Sequence, residues 1–209
     1  LPIERALKPC GLIVILQKDQ DIVSLIENTP WLKTKKLVHF SGRLNTSLAR
    51  GAHPLMCFSE ELYPLETYKN IPFVVEAPSA WFTKEFPLLE NPVYEIKPDQ
   101  KAFYHSLCVI GGNFTTLIWH KLFDEFCHKL QLPKHILQPY MNQTFKQLLE
   151  LKQNNLTGPF VRNDQETIKQ NLSALEGHEL KTIYQAFWQT YRNSQTDEHS
   201  RTARNETTG

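Results

Sequence analysis

Residues Leu12–Leu16 read LIVIL, five apolar residues in unbroken succession with no charge among them. A strand with one wet face alternates apolar and polar residues. A short uninterrupted run therefore predicts a strand covered on both faces, as in a parallel sheet flanked by helices. The next residues continue that pattern. Asp19 or Asp21 can cap a helix through about Asn28, which Pro30 stops. Leu37–Phe40 reads as a second strand ending at Ser41-Gly42, with a short helical stretch from about Asn45 to Arg50 behind it. Strand, helix and strand in succession predict a parallel α/β sheet. Met56–Phe58 and Phe73–Glu76 are shorter strand candidates, and Val93–Ile96 is expected at a sheet edge because Pro92 and Pro98 bracket it.

At Asp99 the pattern becomes helical. Phe103, Leu107, Ile110, Phe114 and Leu117 recur at alternating spacings of four and three, continued by Leu122, Phe126 and Leu130. That is one long helix of about 45 Å at 1.5 Å per residue. Pro133 opens a second helix to about Lys152, Asn163 or Asp164 caps a third to about Leu175, and Gly177 separates a fourth running to about Arg192. Residues 194–209 hold no large apolar side chain and are expected to be a disordered tail. The expected organisation is an α/β portion over 1–98, a helical domain over 99–193, and the tail.

Charge and composition narrow the function class. Lys+Arg 23 against Asp+Glu 22 leaves +1, without the broad basic field of a nucleic-acid binder. No apolar stretch approaches the roughly 18 to 20 residues of a membrane span. Cys10, Cys57, Cys108 and Cys127 show no C-x-x-C pair, which reads as reduced thiols in a cytoplasmic, soluble chain. Neither a nucleic-acid nor a membrane partner is expected, and no metal site is evident. His120, Asp124 and His128 at i, i+4 and i+8 fit the polar stripe of an amphipathic helix.

Ligands of open parallel sheets sit beyond the carboxyl ends of the strands. Gln17–Asp21, Ser41–Arg43 and Gly51–Ser59 fall at such positions. Ser41-Gly42 is either a plain turn or a place where a ligand meets backbone closely. His53, read on a loop stiffened by Pro54, either bonds a backbone carbonyl or orients a substrate and donates a proton. Gly111-Gly112 inside the long helix costs about 1 kcal/mol per glycine relative to alanine, offset by close packing or by a ligand beside Asn113. His105 lies upstream on the same helix. Thr157-Gly158-Pro159 makes a rigid turn, and Asp164 can cap the helix that follows. Arg162 either clamps an anionic group or pairs with an acidic neighbour.

VHFSG (38–42), GAHPLMCFS (51–59), YHSLCVIGGNF (104–114) and LTGPFVRND (156–164) together resemble, in order and spacing, a two-domain family. It comprises Rossmann-like proteins with a helical C-terminal domain of unknown function, often labelled NADP oxidoreductases of the deazaflavin-dependent type. The family is similar to ketopantoate reductase, pyrroline-carboxylate reductase and 6-phosphogluconate dehydrogenase. The resemblance spans about residues 1 to 192. It implies a partial Rossmann-like parallel sheet followed by an all-helical domain that forms a homodimer, and a cleft for a small-molecule ligand. It further implies cofactor contacts at Gln17, Ser41 and Gly42, substrate contacts at His105, Thr157, Gly158 and Asp164, and catalytic roles for His53, Asn113 and Arg162. The cofactor would be NADP or NAD, and the reaction reduction of a small carbonyl or imine. The alternative is a non-catalytic dimeric module that binds a small ligand. The sequence enters the pattern at the family's fourth strand, so it reads as a cut chain lacking the glycine-rich G-x-G-x-x-G turn that holds the pyrophosphate. Lys18 stands where the family has proline.

Overall fold

In the computed structural model, which describes residues 3–150 and 156–206, a short helix α1 (Ile3–Leu7) leads into β1 (Leu12–Ile15). Helix α2 (Asp19–Glu27) follows and stops at Asn28, ahead of Pro30. Its Ile22 and Ile26, one turn apart, are buried against Ile13 and Ile15. Ile26 is fully enclosed, and truncating a core isoleucine of this kind to alanine costs about 2–5 kcal/mol.

Strands β2 (Lys36–His39) and β3 (Arg50–Pro54) come next, then α3 (Leu65–Lys69), β4 (Phe73–Glu76), α4 (Ala80–Glu85) and β5 (Val93–Ile96). The sheet order is β1-β2-β3-β4-β5. The first three strands are mutually parallel, β4 runs antiparallel to β3, and β5 is parallel to β4. The fold is therefore mixed α/β with a mostly parallel sheet, and β5 takes the expected edge. β1 takes the other edge among the described residues, with Ile13 and Ile15 buried and Leu12 and Val14 half-buried. Val38, Ala52, Phe73 and Val75 form a second cluster with Trp81 and Phe82 of α4.

Three local expectations differ. No helix forms between β2 and β3, where residues 41–49 run as a loop. Met56–Phe58 is exposed loop, and the third strand lies earlier, at Arg50–Pro54. Gly51 and Pro54 are poor strand residues, so propensity points away from a segment that tertiary packing selects. His53 is accordingly a strand residue rather than a loop residue.

The long helix is continuous but not uniform. Helix α5 (Lys101–Cys108) passes through a π-helical turn, Val109–Phe114, into α6 (Thr115–Asp124), and a second π turn follows at Glu125–Lys129. It clusters with the sheet: the two compact units are Leu1–Leu132 and Pro133–Gly209, whereas the composition shift suggests a boundary at 98/99.

In the second unit, α7 (Leu137–Leu149) begins after a 3-10 turn at Lys134–Ile136, and α8 (Gln165–Ala174) is capped by Asp164. Helix α9 (Leu180–Glu206) continues through much of the stretch expected to be disordered. Leu180–Glu206 contains neither glycine nor proline, so nothing in it breaks the helix even where apolar residues run out. The end of the expected second helix at Lys152 and residues 207–209 of the expected tail lie outside the described residues.

Candidate functional site

Helix α5 lies along the sheet beside β3, and four contacts fix its course. Lys101 meets Gly51 and Glu76, Tyr104 meets His53, His105 meets Gly42, and Gly112 meets Cys57. The contacts of Lys101 with Gly51 and of Tyr104 with His53 set the first turns of α5 beside the strand, and Gly112 meets the loop that follows it at Cys57. Lys101, Tyr104, His105 and Cys108 sit at i, i+3, i+4 and i+7, one face of a helix. That face carries polar and small residues. The apolar stripe Phe103, Leu107, Ile110, Phe114 and Leu117 points elsewhere and is 50–68 % exposed.

The sheet supplies the other half of a polar seam. Period two places Gly51 and His53 on one face of β3, and the register sets His39 opposite Gly51. The antiparallel turn of β4 brings Glu76 back beside Gly51. The Lys101 ammonium donates to Glu76 Oε1 at 2.6 Å, with side chains only 4 % and 13 % exposed. His39 is fully buried. Its Nδ1 accepts the Ser41 amide at 3.2 Å, and its Nε2 has no hydrogen-bond partner among the described residues. Burial first, and then the Lys101 charge, push its pKa down to about 4.

His53 stands at the carboxyl end of β3. Its Nδ1 is 2.7 Å from the Tyr104 hydroxyl, and its ring meets that of His105 edge-on at 6.1 Å. Burial pushes the His53 pKa down to about 4, with further lowering from His105 and Lys101 and a small opposing pull from Asp19. Burial and the Cys108 thiol raise the Tyr104 pKa. The imidazole is therefore neutral at pH 7 and the phenol keeps its proton. Tyr104 can donate to Nδ1, which leaves the His53 proton on Nε2. A group so placed hydrogen-bonds a neutral acceptor; it does not act as an imidazolium acid at neutral pH.

Gly42 makes this convergence possible. A Cβ at that position would stand 2.7 Å from His105 Cδ2 and 3.0 Å from His53 Cδ2. His53 also lines a cavity of about 660 Å³ whose walls include Phe40, Met56, Phe58, Tyr68 and Phe73, a size and character suited to a small organic ligand.

The remaining expected residues are placed as follows. Gln17 is exposed just past β1. The Ser41 hydroxyl accepts the amides of Arg43 and Leu44, at 3.2 and 2.9 Å. Asn113 is exposed on the first π turn. Gly112 lies against Cys57, with 3.0 Å between its virtual Cβ and the sulfur, so close packing accounts for one of the paired glycines. In the second unit Thr157 and Arg162 are exposed, and Gly158 takes the positive φ its turn requires. Asp164 accepts the Thr167 amide at 3.0 Å and its hydroxyl at 2.8 Å; these bonds, with Arg162 nearby, lower its pKa. His53, His105 and Gly42 thus come together in the first unit, while Thr157, Gly158, Arg162 and Asp164 belong to the second.

Lys101, Glu76, His39 and Tyr104 were not singled out from sequence. The i, i+3, i+4 spacing of Lys101, Tyr104 and His105 is the signal that marks them as one face. Among the described residues, no group of three or more His, Cys, Asp or Glu side chains is placed to hold a metal ion. No helix among them is long and apolar enough to cross a membrane.

The residues expected to hold a dinucleotide do not form a cradle for its phosphates. The Ser41 hydroxyl is engaged by backbone, Gly42 faces two imidazoles, and α2 opens with two acidic residues, Asp19, paired with Arg43 at 3.5 Å, and Asp21.

The fold has clear relatives among solved structures. A protein of Bacteroides fragilis, provisionally named an NADP oxidoreductase, aligns over 88 % of this chain and 75 % of its own, at 22 % identity and a TM-score of 0.71. A Thermotoga maritima protein aligns over 90 % and 78 %, at 20 % identity and 0.67. The pyrroline carboxylate reductase of Plasmodium falciparum, solved with NADP bound, aligns over 91 % and 78 %, at 16 % identity and 0.52. These likenesses establish a Rossmann-like fold. No curated protein matches the sequence. The family model described as "Domain of unknown function (DUF2520)" matches residues 71–190, from the end of the β3–β4 connection into α9. With more than half of its length under that model, the chain belongs to the DUF2520 family.

Proposed function

We propose that this chain carries the substrate-facing part of an NAD(P)-dependent oxidoreductase that reduces a small carbonyl or imine compound. The observation that carries the reading is the neutral His53, tied to Tyr104 at 2.7 Å, at the carboxyl end of a parallel strand and beside an apolar cavity. A carbonyl oxygen or imine nitrogen is a neutral acceptor, and an Nε2–H held by its hydrogen-bonded partner can polarise and orient it. Tyr104, kept protonated, fixes the tautomer. Asn113, exposed on the first π turn of the same unit, is proposed as a further substrate contact through its amide.

A non-catalytic small-ligand module is the second reading, favoured by the acidic start of α2 and the engaged Ser41 hydroxyl. In either case the four free thiols support a reducing, cytoplasmic setting.

The test is a titration of the ¹³C-histidine-labelled chain with a small ketone and with a cyclic imine, alongside His53→Ala. Shifts confined to His53 and His105, and lost binding in a variant with an unchanged melting temperature, support the site. Shifts elsewhere, or binding that survives His53→Ala, refute it.

A further inference from the structure

Lys101 is a costly choice at its position. It is the first residue of α5, where the helix dipole disfavours a cation, and its side chain is almost wholly buried. Its partner Glu76 is nearly as buried, and a buried ion pair is often no more stabilising than apolar residues of the same volume. Gly51 adds a second local cost, since glycine weakens a strand. The reason for it is steric: any Cβ there would overlap the Lys101 ammonium and stand 2.8 Å from Glu76 Oε1. The unpartnered His39 Nε2 adjoins the same point, with Cε1 3.1 Å from that Cβ position. Four residues thus give up local stability at one spot on the sheet. One helical turn further along, the same face of α5 delivers Tyr104 to His53 and His105 to Gly42.

We propose that Lys101 is a positioning residue: its ion pair with Glu76, seated in the gap at Gly51, fixes where α5 stands along β3 and so places Tyr104 and His105 against His53. The proposal rests on the reading of the His53 pair as the working site. The logic is that of a polar contact that sets register. Apolar side chains slide past one another at little penalty, whereas an ammonium and a carboxylate sealed from water have one acceptable separation. A slip of α5 by one residue would turn Tyr104 about 100° away from His53. The charged and titratable groups facing His53 are Tyr104 and His105 from α5, together with Lys101 and Asp19. Those facing His39 are Lys101, Glu76 and Asp19.

The experiment follows the ring signals of His53 by NMR in the full chain, assigned against His53→Ala, for the unaltered protein and two variants. Glu76→Met combined with Lys101→Met replaces the pair by apolar residues of similar length. Gly51→Ala keeps both charges and displaces the ammonium by bulk alone. The expected result is that both variants fold and that the cross-peaks between the Tyr104 and His53 rings weaken or vanish in each, as the Tyr104 hydroxyl leaves its place 2.7 Å from His53 Nδ1. A folded double variant that keeps the Tyr104–His53 ring cross-peaks overturns the proposal; the His53 midpoint does not decide it, since loss of the Lys101 charge alone would raise it. A double variant that fails to fold overturns it as well, since the pair would then be holding the fold rather than placing the histidine. No ligand enters this measurement. A failure of the site reading, seen as no response of His53 to ketone or imine, is therefore distinguishable from a failure of the positioning role.

Discussion

Gly42 and His105 stand so close that no side chain fits between them: a Cβ on Gly42 would lie 2.7 Å from His105 Cδ2. Gly42→Ala is therefore expected to destabilise the chain by about 1–3 kcal/mol through overpacking. It should also part His105 from His53. A lowered melting temperature together with altered His53 and His105 ring shifts checks this, and an unchanged melt refutes it.

The two histidines with pKa values near 4 make stability depend on pH. Unfolded, each titrates near 6.5 and binds a proton between the two values, whereas the folded form does not. Stability from these groups is thus fully present above about 6.5 and lost as pH falls toward 4. The limiting slope within that window is on the order of 1.4 kcal/mol per pH unit for each histidine. Urea unfolding at several pH values measures it. His39→Gln should reduce the slope, and an identical slope in that variant counts against the assignment.

Asp164 caps α8 through two bonds to Thr167. Asp164→Ala should cost about 1 kcal/mol, and Asp164→Asn should recover most of the loss. Thermal melts of the two variants decide. Equal loss in both would show that the charge beside Arg162 matters more than the cap.

Without a phosphate cradle among the described residues, the chain is expected to bind NADP weakly or not at all. Calorimetric titration tests this directly. Affinity in the low micromolar range would show that another part of the surface holds the phosphates.

The outward stripe of α5 and α6 leads to a second expectation about assembly. Five large apolar side chains, Phe103, Leu107, Ile110, Phe114 and Leu117, are half or more exposed along one continuous line. Contiguous apolar surface of this kind marks an interaction face, and the proposed occupant is a second copy of the chain. Ile110→Glu should shift the sedimenting species to monomer. A monomeric unaltered chain at tens of micromolar refutes the proposal.

Much of the frame was legible in the sequence. Leu12–Ile15, Phe73–Glu76 and Val93–Ile96 carry strand composition between clear breakers, and the four-and-three apolar spacing after Asp99 marks the long helix. Asp164 as a cap and Gly158 as a left-handed turn residue follow from local chemistry alone. Strand β3 did not, because Gly51 and Pro54 argue against a strand and the case for Gly51 is made by Lys101, fifty positions away. The seam around His53 was half legible. His53 and His105 stand out as histidines, but nothing local marks Lys101 and Glu76, and only the fold reveals that they are sealed in. The first part of helix α9, to about Arg192, was legible; its continuation to Glu206 was not, because an absence of apolar residues predicts that a segment has no partner, not that it cannot be helical.

The reversal of β4 against β3 divides the sheet into two jobs with different freedom to diverge. The paired register holds Glu76 at the end where Gly51 lies, while the connection from Leu55 to Pro72 emerges at the other end and supplies Met56, Phe58 and Tyr68 to the cavity wall. Insertions or deletions in that connection reshape the cavity without moving Glu76, whose place is dictated by the ladder. For the proposed small ligand, grafting loops of different length between Pro54 and Phe73 is expected to change preference while leaving the Lys101–Glu76 pair in place.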